Sequence, residues 1–283
     1  MKVASLSRSL GLQVSGGALQ DCSSGELAEA LRLVERAGLV VFRRQCLDDG
    51  DLHALARRIG PLEESSRKVC LSPEHPEISY LSNLRDEDGQ FIGFPGADTD
   101  YWHSDQQHRE RPATLAVLYC VVPAASGGAT SFVSADVESA GLDEATVADL
   151  AGRRAVYEPA FNHDNAPRVR VSHPALLTSR TGDRHYAYVS DNTLGFTGLA
   201  ADESAALKQR VLSRLLEPSR IYAHRWQAGD FALYDNTQLL HRRERFQGRR
   251  WLKAAKVFAP EEIFAVPSGE VVSECAAATS SAE

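Results

Sequence analysis

The segment at residues 102–105, Trp-His-Ser-Asp, places strong constraints on how this chain folds. It puts an imidazole at His103 and a carboxylate at Asp105, two positions apart. On an extended strand, side chains two residues apart point to the same side. The segment therefore predicts a strand that presents two metal ligands on one face. A His-x-Asp triplet also arises by chance in surface loops, so the metal interpretation depends on the rest of the chain.

A third ligand would complete a facial set of two histidines and one carboxylate, which leaves open coordination positions on a non-heme Fe(II) ion. His241 is the candidate for this ligand. An apolar stretch begins at Phe231, directly after the turn sequence Ala-Gly-Asp at 228–230, and is typical of a strand that leads into a site. The alternatives are a polar strand-end histidine at 241 and a turn cap at Asp105.

The composition narrows the class of protein. A chain of 283 residues with 43% hydrophobic residues can bury a large core, and we expect a single domain over residues 1–267. The net charge of −7 argues against a nucleic acid or an anionic membrane as partner. The chain shows no membrane-length apolar run and no signal-peptide core, which predicts a cytoplasmic protein with a small-molecule partner and allows a homo-oligomer. Residues 268–283 are small, polar and without periodicity, which predicts a disordered tail.

Apolar periodicity divides the chain into helices and short strands. Helical spacing predicts helices at residues 24–37, 48–59, 142–150 and 203–216. Short apolar runs predict strands at residues 39–42, 78–81, 113–122, 130–133, 186–189 and 232–240. A polar, glycine-bearing stretch at 85–99 is typical of a loop that covers a site. The pattern indicates an α+β fold with helices packed outside a β-sandwich or jelly roll.

A series of motifs occurs in a recognisable order. The segments are residues 38–43 and 54–60, Trp-His-Ser-Asp at 102–105, Ser-Gly-Gly-Ala-Thr at 126–130, His-Pro at 173–174 with Gly182, Arg-Trp-Gln-Ala-Gly-Asp at 225–230, Tyr-Asp-Asn at 234–236, His-Arg at 241–242 and Gly-Arg-Arg at 248–250. In this order they resemble the taurine dioxygenase/TfdA family of Fe(II)- and 2-oxoglutarate-dependent dioxygenases, from about residue 11 to residue 258.

The resemblance implies a double-stranded β-helix, also called a jelly roll, with flanking helices. It implies that His103, Asp105 and His241 hold Fe(II), and that 2-oxoglutarate and O2 take the other positions on the metal. The implied reaction hydroxylates or desaturates a small molecule and releases succinate and CO2. A carboxylate ligand at Asp105 favours this chemistry over halogenation, for which related enzymes have a small residue at this position.

The resemblance also assigns the cosubstrate's distal carboxylate to Arg250 and Thr130. A planar guanidinium engages both carboxylate oxygens, which suits this role. Arg249 is the alternative to Arg250, because adjacent strand residues face opposite sides. For Thr130, the alternative is an ordinary strand threonine.

The substrate is less defined. Family members that bind a sulfonate or an aryloxy acid have an arginine four residues beyond Arg250, where this chain has Ala254, which argues against taurine. Asn83 and Asn192 lie where substrate contacts fall in the family, and they predict a polar, amino-acid-derived substrate. Lys253 is a third candidate contact, with an edge lysine as its alternative. Tailoring of an isonitrile or another secondary metabolite is a narrower alternative.

Two other classes of protein are alternatives to the oxygenase. One is a noncatalytic jelly roll that binds a metal or ligand without turnover. The other is a zinc hydrolase built on the same ligands, which would have no use for the keto-acid pair Thr130 and Arg250. The intact set of metal and keto-acid residues favours the oxygenase.

Overall fold

The computed structural model of the protein describes residues 2–65, 69–95, 100–159 and 169–274. Within these ranges the chain forms eighteen strands and four α-helices. The strands are β1 (Lys2–Ser5), β2 (Leu12–Ser15), β3 (Leu39–Phe42), β4 (Ser79–Ser82), β5 (Leu115–Val122), β6 (Ser126–Gly127), β7 (Thr130–Ser134), β8 (Arg154–Tyr157), β9 (Val169–Pro174), β10 (Leu176–Thr178), β11 (His185–Ala187), β12 (Gly195–Phe196), β13 (Tyr222–His224), β14 (Phe231–Asp235), β15 (Leu239–Arg243), β16 (Phe246–Gln247), β17 (Trp251–Val257) and β18 (Glu270–Glu274). The helices are α1 (Ser24–Ala37), α2 (Asp49–Ile59), α3 (Glu144–Ala151) and α4 (Ala201–Leu215).

Helix α1 begins at the predicted residue 24 and α2 begins one residue after the predicted residue 48, and a capping box starts each helix. Ser23 exchanges hydrogen bonds with Glu26 at the start of α1, and Asp48 does so with Asp51 at the start of α2. Helix α1 ends at Gly38, whose φ of 73° lies in the left-handed region that glycine tolerates. None of the helices in the described ranges is long and apolar enough to cross a membrane.

A seven-stranded mixed sheet forms the larger layer, in the order β1-β2-β3-β14-β5-β17-β4. The pairing of β2 with β3 is parallel, and the other pairings are antiparallel. Side chains alternate between the two faces, so that Leu233 packs in the core against α1 and α2 while Tyr234 packs on the opposite face. This opposite face carries the cavity described below.

A second layer consists of a three-stranded sheet, β13-β7-β15, and a four-stranded sheet, β12-β8-β9-β18. It shares an apolar core with α3 and α4. The predicted strand at 232–240 is in fact two strands, because Asp235 accepts hydrogen bonds from Thr237 and Gln238 and turns the chain between β14 and β15. The turn sends β15 into the second layer, where it pairs with β7.

The C-terminal segment differs from the prediction. A disordered tail was expected from residue 268, but Glu270–Glu274 form β18 and pair with β9. The β-branched residue Val271 lies opposite Val171 in this ladder, so the strand is stabilised by its pairing with β9. The rest of the predicted tail, residues 275–283, lies outside the described residues. The single domain expected over 1–267 stays a prediction.

Candidate active site

Three donor side chains meet where the two layers face each other. One ligand atom from each of His103, Asp105 and His241 lies within 4.8 Å of the other two. The Nε2 atom of His103 is 3.7 Å from Oδ1 of Asp105, and that of His241 is 3.5 Å from Oδ2. Among the described residues, no other group of three or more histidine, cysteine or acidic side chains lies close enough together to hold a metal ion. The structure therefore brings together the three metal ligands predicted from the sequence.

Backbone hydrogen bonds to His241 and a hydrogen bond from its imidazole hold His103 in place. Its N–H donates to the carbonyl of His241 at 3.0 Å, and the N–H of His241 donates back at 2.8 Å. Its Nδ1 lies 3.0 Å from the carbonyl of Tyr101, which requires a proton on Nδ1 and leaves the lone pair on Nε2. The preceding residue, Trp102, exchanges two hydrogen bonds with Asp191. The ring therefore presents a free lone pair toward Asp105.

Asp105 does not lie on a regular strand, as the His-x-Asp spacing predicted. His103 forms an isolated bridge with His241, and Asp105 begins a turn. The amide of Asn236 replaces the missing ladder: its Oδ1 accepts from the Asp105 N–H at 2.8 Å, and its Nδ2 donates to the Asp105 carbonyl at 2.9 Å. Asn236 is fully buried, and it belongs to the same turn that separates β14 from β15.

His241 is suited to bind a metal because its imidazole stays neutral. Burial, and then the neighbouring His103, lowers the pKa of His241 to about 3. A neutral ring keeps a lone pair for a metal at physiological pH. The phenol oxygen of Tyr234 is 3.4 Å from its Nε2.

The carboxylate of Asp105 is strongly favoured in its charged form. Burial alone would raise its pKa, but Lys256, His241 and His103 together hold the pKa of Asp105 well below its usual range. The ammonium of Lys256 contacts Oδ2, and the hydroxyl of Tyr234 donates to the same oxygen at 3.3 Å. The sequence interpretation missed both neighbours. A period of two along β17, from Leu252 through Ala254 to Lys256, was the available signal for the lysine.

A cavity of about 270 Å³ adjoins the three ligands. Its walls include Thr130 and Arg250, as well as Phe94 and Pro95 from the predicted covering loop, of which residues 96–99 lie outside the described residues. An apolar floor comes from Leu118 and the β17 side chains that share its face. The cavity therefore joins the metal ligands to the two residues predicted to hold a keto acid.

Arg250 is a buried cation whose counter-ion is missing. It is 4% exposed, its Nε has no hydrogen-bond partner, and no described carboxylate lies within ion-pair distance of its guanidinium. Burial, and then the charge of Arg243, lowers its pKa to about 10. Arg249 is exposed, so the geometry favours Arg250 over that alternative. A buried, unpaired guanidinium on a cavity wall is suited to bind an anion.

Thr130 is placed by a glycine turn and oriented by an indole. Gly127 and Gly128 adopt φ values of 67° and 70°, and a Cβ at Gly127 would approach the Arg245 carbonyl to 2.2 Å. The sequence Ser-Gly-Gly thus brings the chain close to the segment before β17. The Trp226 Nε1–H donates to the Thr130 hydroxyl oxygen at 3.0 Å, which leaves the hydroxyl proton available to a ligand.

The three predicted substrate contacts lie in different surroundings. Asn83 borders the cavity, but its amide is engaged: Nδ2 donates to the Gly248 carbonyl, and Oδ1 accepts from the Arg250 N–H. Asn192 also borders the cavity. Lys253 does not, since it lies on the other face of β17 and its Nζ is 2.5 Å from Oδ1 of Asp49. The structure therefore brings two of the three to the cavity.

The donor set fits a divalent iron site with room for a chelating keto acid. Two imidazoles and one carboxylate form the facial set that leaves positions open, and the orphaned guanidinium of Arg250 supplies a partner for a second carboxylate.

The chain is similar to known proteins over most of its length. The family model of the taurine catabolism dioxygenase TauD, TfdA family matches residues 2–255. The chain is 28% identical over 262 residues to an alpha-ketoglutarate-dependent 2,4-dichlorophenoxyacetate dioxygenase of Cupriavidus pinatubonensis, covering 82% of this chain and 88% of the relative. It is 26% identical over 260 residues to pentalenolactone F synthase of Streptomyces avermitilis, covering 81% and 83%.

A solved structure, that of a putative alpha-ketoglutarate-dependent taurine dioxygenase from Burkholderia xenovorans, aligns with a TM-score of 0.79 at 20% identity, over 96% of this chain and 97% of the other. This likeness shows a shared fold. The match to the family model confirms the resemblance predicted from the sequence motifs. The chain therefore belongs to the TauD/TfdA family and is a non-heme iron dioxygenase that uses Fe(II), 2-oxoglutarate and O2.

Proposed function

We propose that this dioxygenase hydroxylates or desaturates a small polar molecule, with an amino-acid derivative as the favoured class. In this proposal, His103, Asp105 and His241 hold the iron, and Arg250 with Thr130 holds the distal carboxylate of 2-oxoglutarate. The scaffold would be a double-stranded β-helix with helices outside it. A cytoplasmic location and a homo-oligomeric state remain predictions.

The observation that carries the proposal is the unpaired guanidinium of Arg250. Leaving a cation buried without a partner is costly, so the site is built for an anion that arrives from outside the chain. Thr130 lies on the wall of the same cavity with a hydroxyl proton free to donate. The two side chains would fix one end of the keto acid, and the metal would hold the other end.

When bound, the iron would supply oxidation of the substrate coupled to decarboxylation of 2-oxoglutarate. The chain's own contribution is placement. Asn236 holds the backbone of Asp105, Tyr101 fixes the proton position on His103, and burial keeps His241 unprotonated.

The polar wall supports the substrate class. Asn192 borders the cavity, and Glu63, Gln106 and Arg109 lie on the wall beyond the metal ligands. Asn83 is a weaker candidate, because its amide already holds the backbone on either side of Arg249. Lys253 is left out of the proposal because it faces Asp49.

A second candidate function is the tailoring of a secondary metabolite, an isonitrile among them. The similarity to pentalenolactone F synthase over most of both chains supports this candidate. Screening amino-acid derivatives alongside pentalenolactone-type and isonitrile compounds would separate it from the first.

The test of the cofactor roles is anaerobic addition of Fe(II) and 2-oxoglutarate to the metal-free protein. We expect the weak visible charge-transfer band of a chelated keto acid. Arg250→Ala and His241→Ala should abolish it at the same concentrations, whereas the control Arg249→Ala, at an exposed position, should retain it. A band that survives in Arg250→Ala and disappears in Arg249→Ala would reverse the arginine assignment. Absence of a band in folded wild-type protein would favour a noncatalytic jelly roll or a different metal.

A further inference from the structure

Lys256 lies in the active-site cavity, and neither the metal site nor the keto-acid site accounts for it. Its ammonium contacts Oδ2 of Asp105, and its side chain is 21% exposed. The ring of Tyr234 lies 6.0 Å from the Nζ atom. The lysine is thus a partly exposed cation that pairs with a metal ligand.

Two cations compete for one carboxylate at this point. A divalent ion held by His103, Asp105 and His241 would neutralise the Asp105 charge and would repel an ammonium at contact distance. Metal binding therefore weakens the ion pair between Lys256 and Asp105. The four-carbon side chain of Lys256 allows its ammonium to leave Asp105 and to contact a ligand elsewhere in the cavity.

The carboxylates of Glu63 and Glu158 on the cavity wall already pair with arginines. Arg109 pairs with Glu63 at 2.7 Å, and Glu63 also accepts from Gln106. Glu158 pairs with Arg170 at 3.0 Å. Glu63, whose backbone N–H donates to the Lys256 carbonyl, already has Arg109 as its ion-pair partner, and a displaced Lys256 would compete with that arginine for it.

The position of Lys256 sets it apart from the cosubstrate end. Leu252, Ala254 and Lys256 share the cavity face of β17, and Arg250 directly precedes that strand. Leu252 and Lys256 are about 13 Å apart along the strand, at 3.3 Å per residue. The cavity therefore has a cation near each end of an apolar strip, with Arg250 at one end and Lys256 at the other.

We propose that Lys256 determines substrate specificity by pairing with a carboxylate of the substrate after a divalent ion has taken over Asp105. Asp105 is then the partner of Lys256 before the metal and the substrate bind. This inference rests on the proposed function and deepens it, because it requires a substrate that carries a carboxylate.

The first part of the test measures metal binding without turnover. Mn(II) is titrated into metal-free wild type, Lys256→Met, Lys256→Gln and the charge-retaining control Lys256→Arg, by calorimetry. Because no ammonium competes for Asp105 in the Met and Gln variants, we expect both to bind Mn(II) about tenfold more tightly than wild type. Weaker binding in both would make Lys256 a support of the metal ligand and would overturn the proposal.

The second part measures anion preference. The probes are 2,4-dichlorophenoxyacetate, phenylacetate and N-acetylphenylalanine, each beside its primary amide, added anaerobically to protein loaded with Fe(II) and 2-oxoglutarate. We expect wild type and Lys256→Arg to bind at least one acid roughly 30-fold more tightly than its amide, and the Met and Gln variants to lose that preference. The proposal fails if no acid is preferred by wild type, or if the Met and Gln variants keep the preference.

The two levels of inference fail separately. A missing keto-acid band in wild type contradicts the proposed function before any probe is added. A normal band in all four proteins, with no effect of Lys256 on acid binding, contradicts only the role of Lys256.

Discussion

Asn236 holds the backbone of Asp105 on both sides of that residue's Cα atom. The Asp105 N–H donates to Oδ1 of Asn236 at 2.8 Å, and Nδ2 of Asn236 donates to the Asp105 carbonyl at 2.9 Å. The same Nδ2 also donates to the carbonyl of Ala113 at 3.2 Å. One buried amide thus pairs with the backbone of the metal-binding turn as a neighbouring strand would, and it ties the turn to Ala113, two residues before β5.

This relationship predicts that Asn236→Ala weakens the metal site. Removal of the amide leaves buried backbone groups of Asp105 unpaired, which costs about 1–3 kcal/mol, and frees the carboxylate to turn. We expect the affinity for Mn(II) to fall roughly 10- to 100-fold, as for other residues that support a metal ligand. Calorimetric titration of metal-free protein measures the change. Gln247→Ala, which removes an exposed amide in β16, should bind Mn(II) like wild type; equal affinities in the two variants would contradict the role of Asn236.

Trp226 is predicted to support cosubstrate binding through Thr130. Its Nε1–H occupies the hydroxyl oxygen of Thr130, so that the hydroxyl proton points elsewhere. Loss of one neutral hydrogen bond corresponds to about 1 kcal/mol, so Trp226→Phe should weaken 2-oxoglutarate binding roughly fivefold. Titration of the anaerobic visible band gives the affinity.

Two controls test this assignment. Trp251→Phe removes an indole N–H that has no hydrogen-bond partner among the described residues, and it should leave the affinity for 2-oxoglutarate unchanged. In the Thr130→Val background, Trp226→Phe should have little further effect, because the two residues act through one hydroxyl. Fully additive losses would show that Trp226 acts elsewhere.

Lys253 is predicted to matter for stability and not for the cavity. Its Nζ pairs with Asp49, whose other carboxylate oxygen accepts from Tyr80 and Ser72, so the lysine joins β17 to α2 and β4. Lys253→Met leaves Asp49 without its cation and should lower the free energy of unfolding by about 3 kcal/mol. Denaturant titration measures this, and the exposed control Lys2→Met should change it little. A keto-acid band lost in folded Lys253→Met would return this lysine to the active site.

Local sequence patterns predicted the elements that depend on local causes. The apolar period at residues 24–37 and 48–59 predicted α1 and α2, and the capping boxes at Ser23 and Asp48 explain why the two helices start there. The site predictions depended on chemistry that few residue types can perform. His103 and His241 are 138 positions apart, yet their roles could be assigned because the ligand set is so restricted.

What the sequence could not supply depends on tertiary contacts. The side of β17 that faces the cavity follows from its pairing with β5 and β4, so Lys253 and Lys256 could not be told apart by residue type alone. Asp105 leaves the extended conformation because Asn236, over a hundred residues later, satisfies its backbone. The strand β18 forms because β9 offers it an edge, which its own composition does not reveal.

His173 is predicted to make the protein sensitive to acid independently of the metal site. It is fully buried, and its Nε2 lies 2.9 Å from the carbonyl of Arg109, which a protonated Nε2 satisfies. Burial lowers its pKa from 6.5 to about 4, so between these values the unfolded chain takes up a proton that the folded protein excludes. The free energy of unfolding gained from this group is complete above pH 6.5 and is lost as the pH falls toward 4.

Between pH 7 and pH 5 the loss from His173 should be about 2 kcal/mol, at 1.36 kcal/mol for each pH unit below the unfolded pKa. Denaturant titrations of metal-free protein at the two pH values measure it. His173→Gln keeps a donor for the Arg109 carbonyl but does not titrate, so its difference between pH 7 and pH 5 should be smaller by that amount. His185→Gln changes an exposed histidine and should retain the wild-type difference. If His173→Gln loses as much stability as wild type over this range, the acid sensitivity arises from other groups.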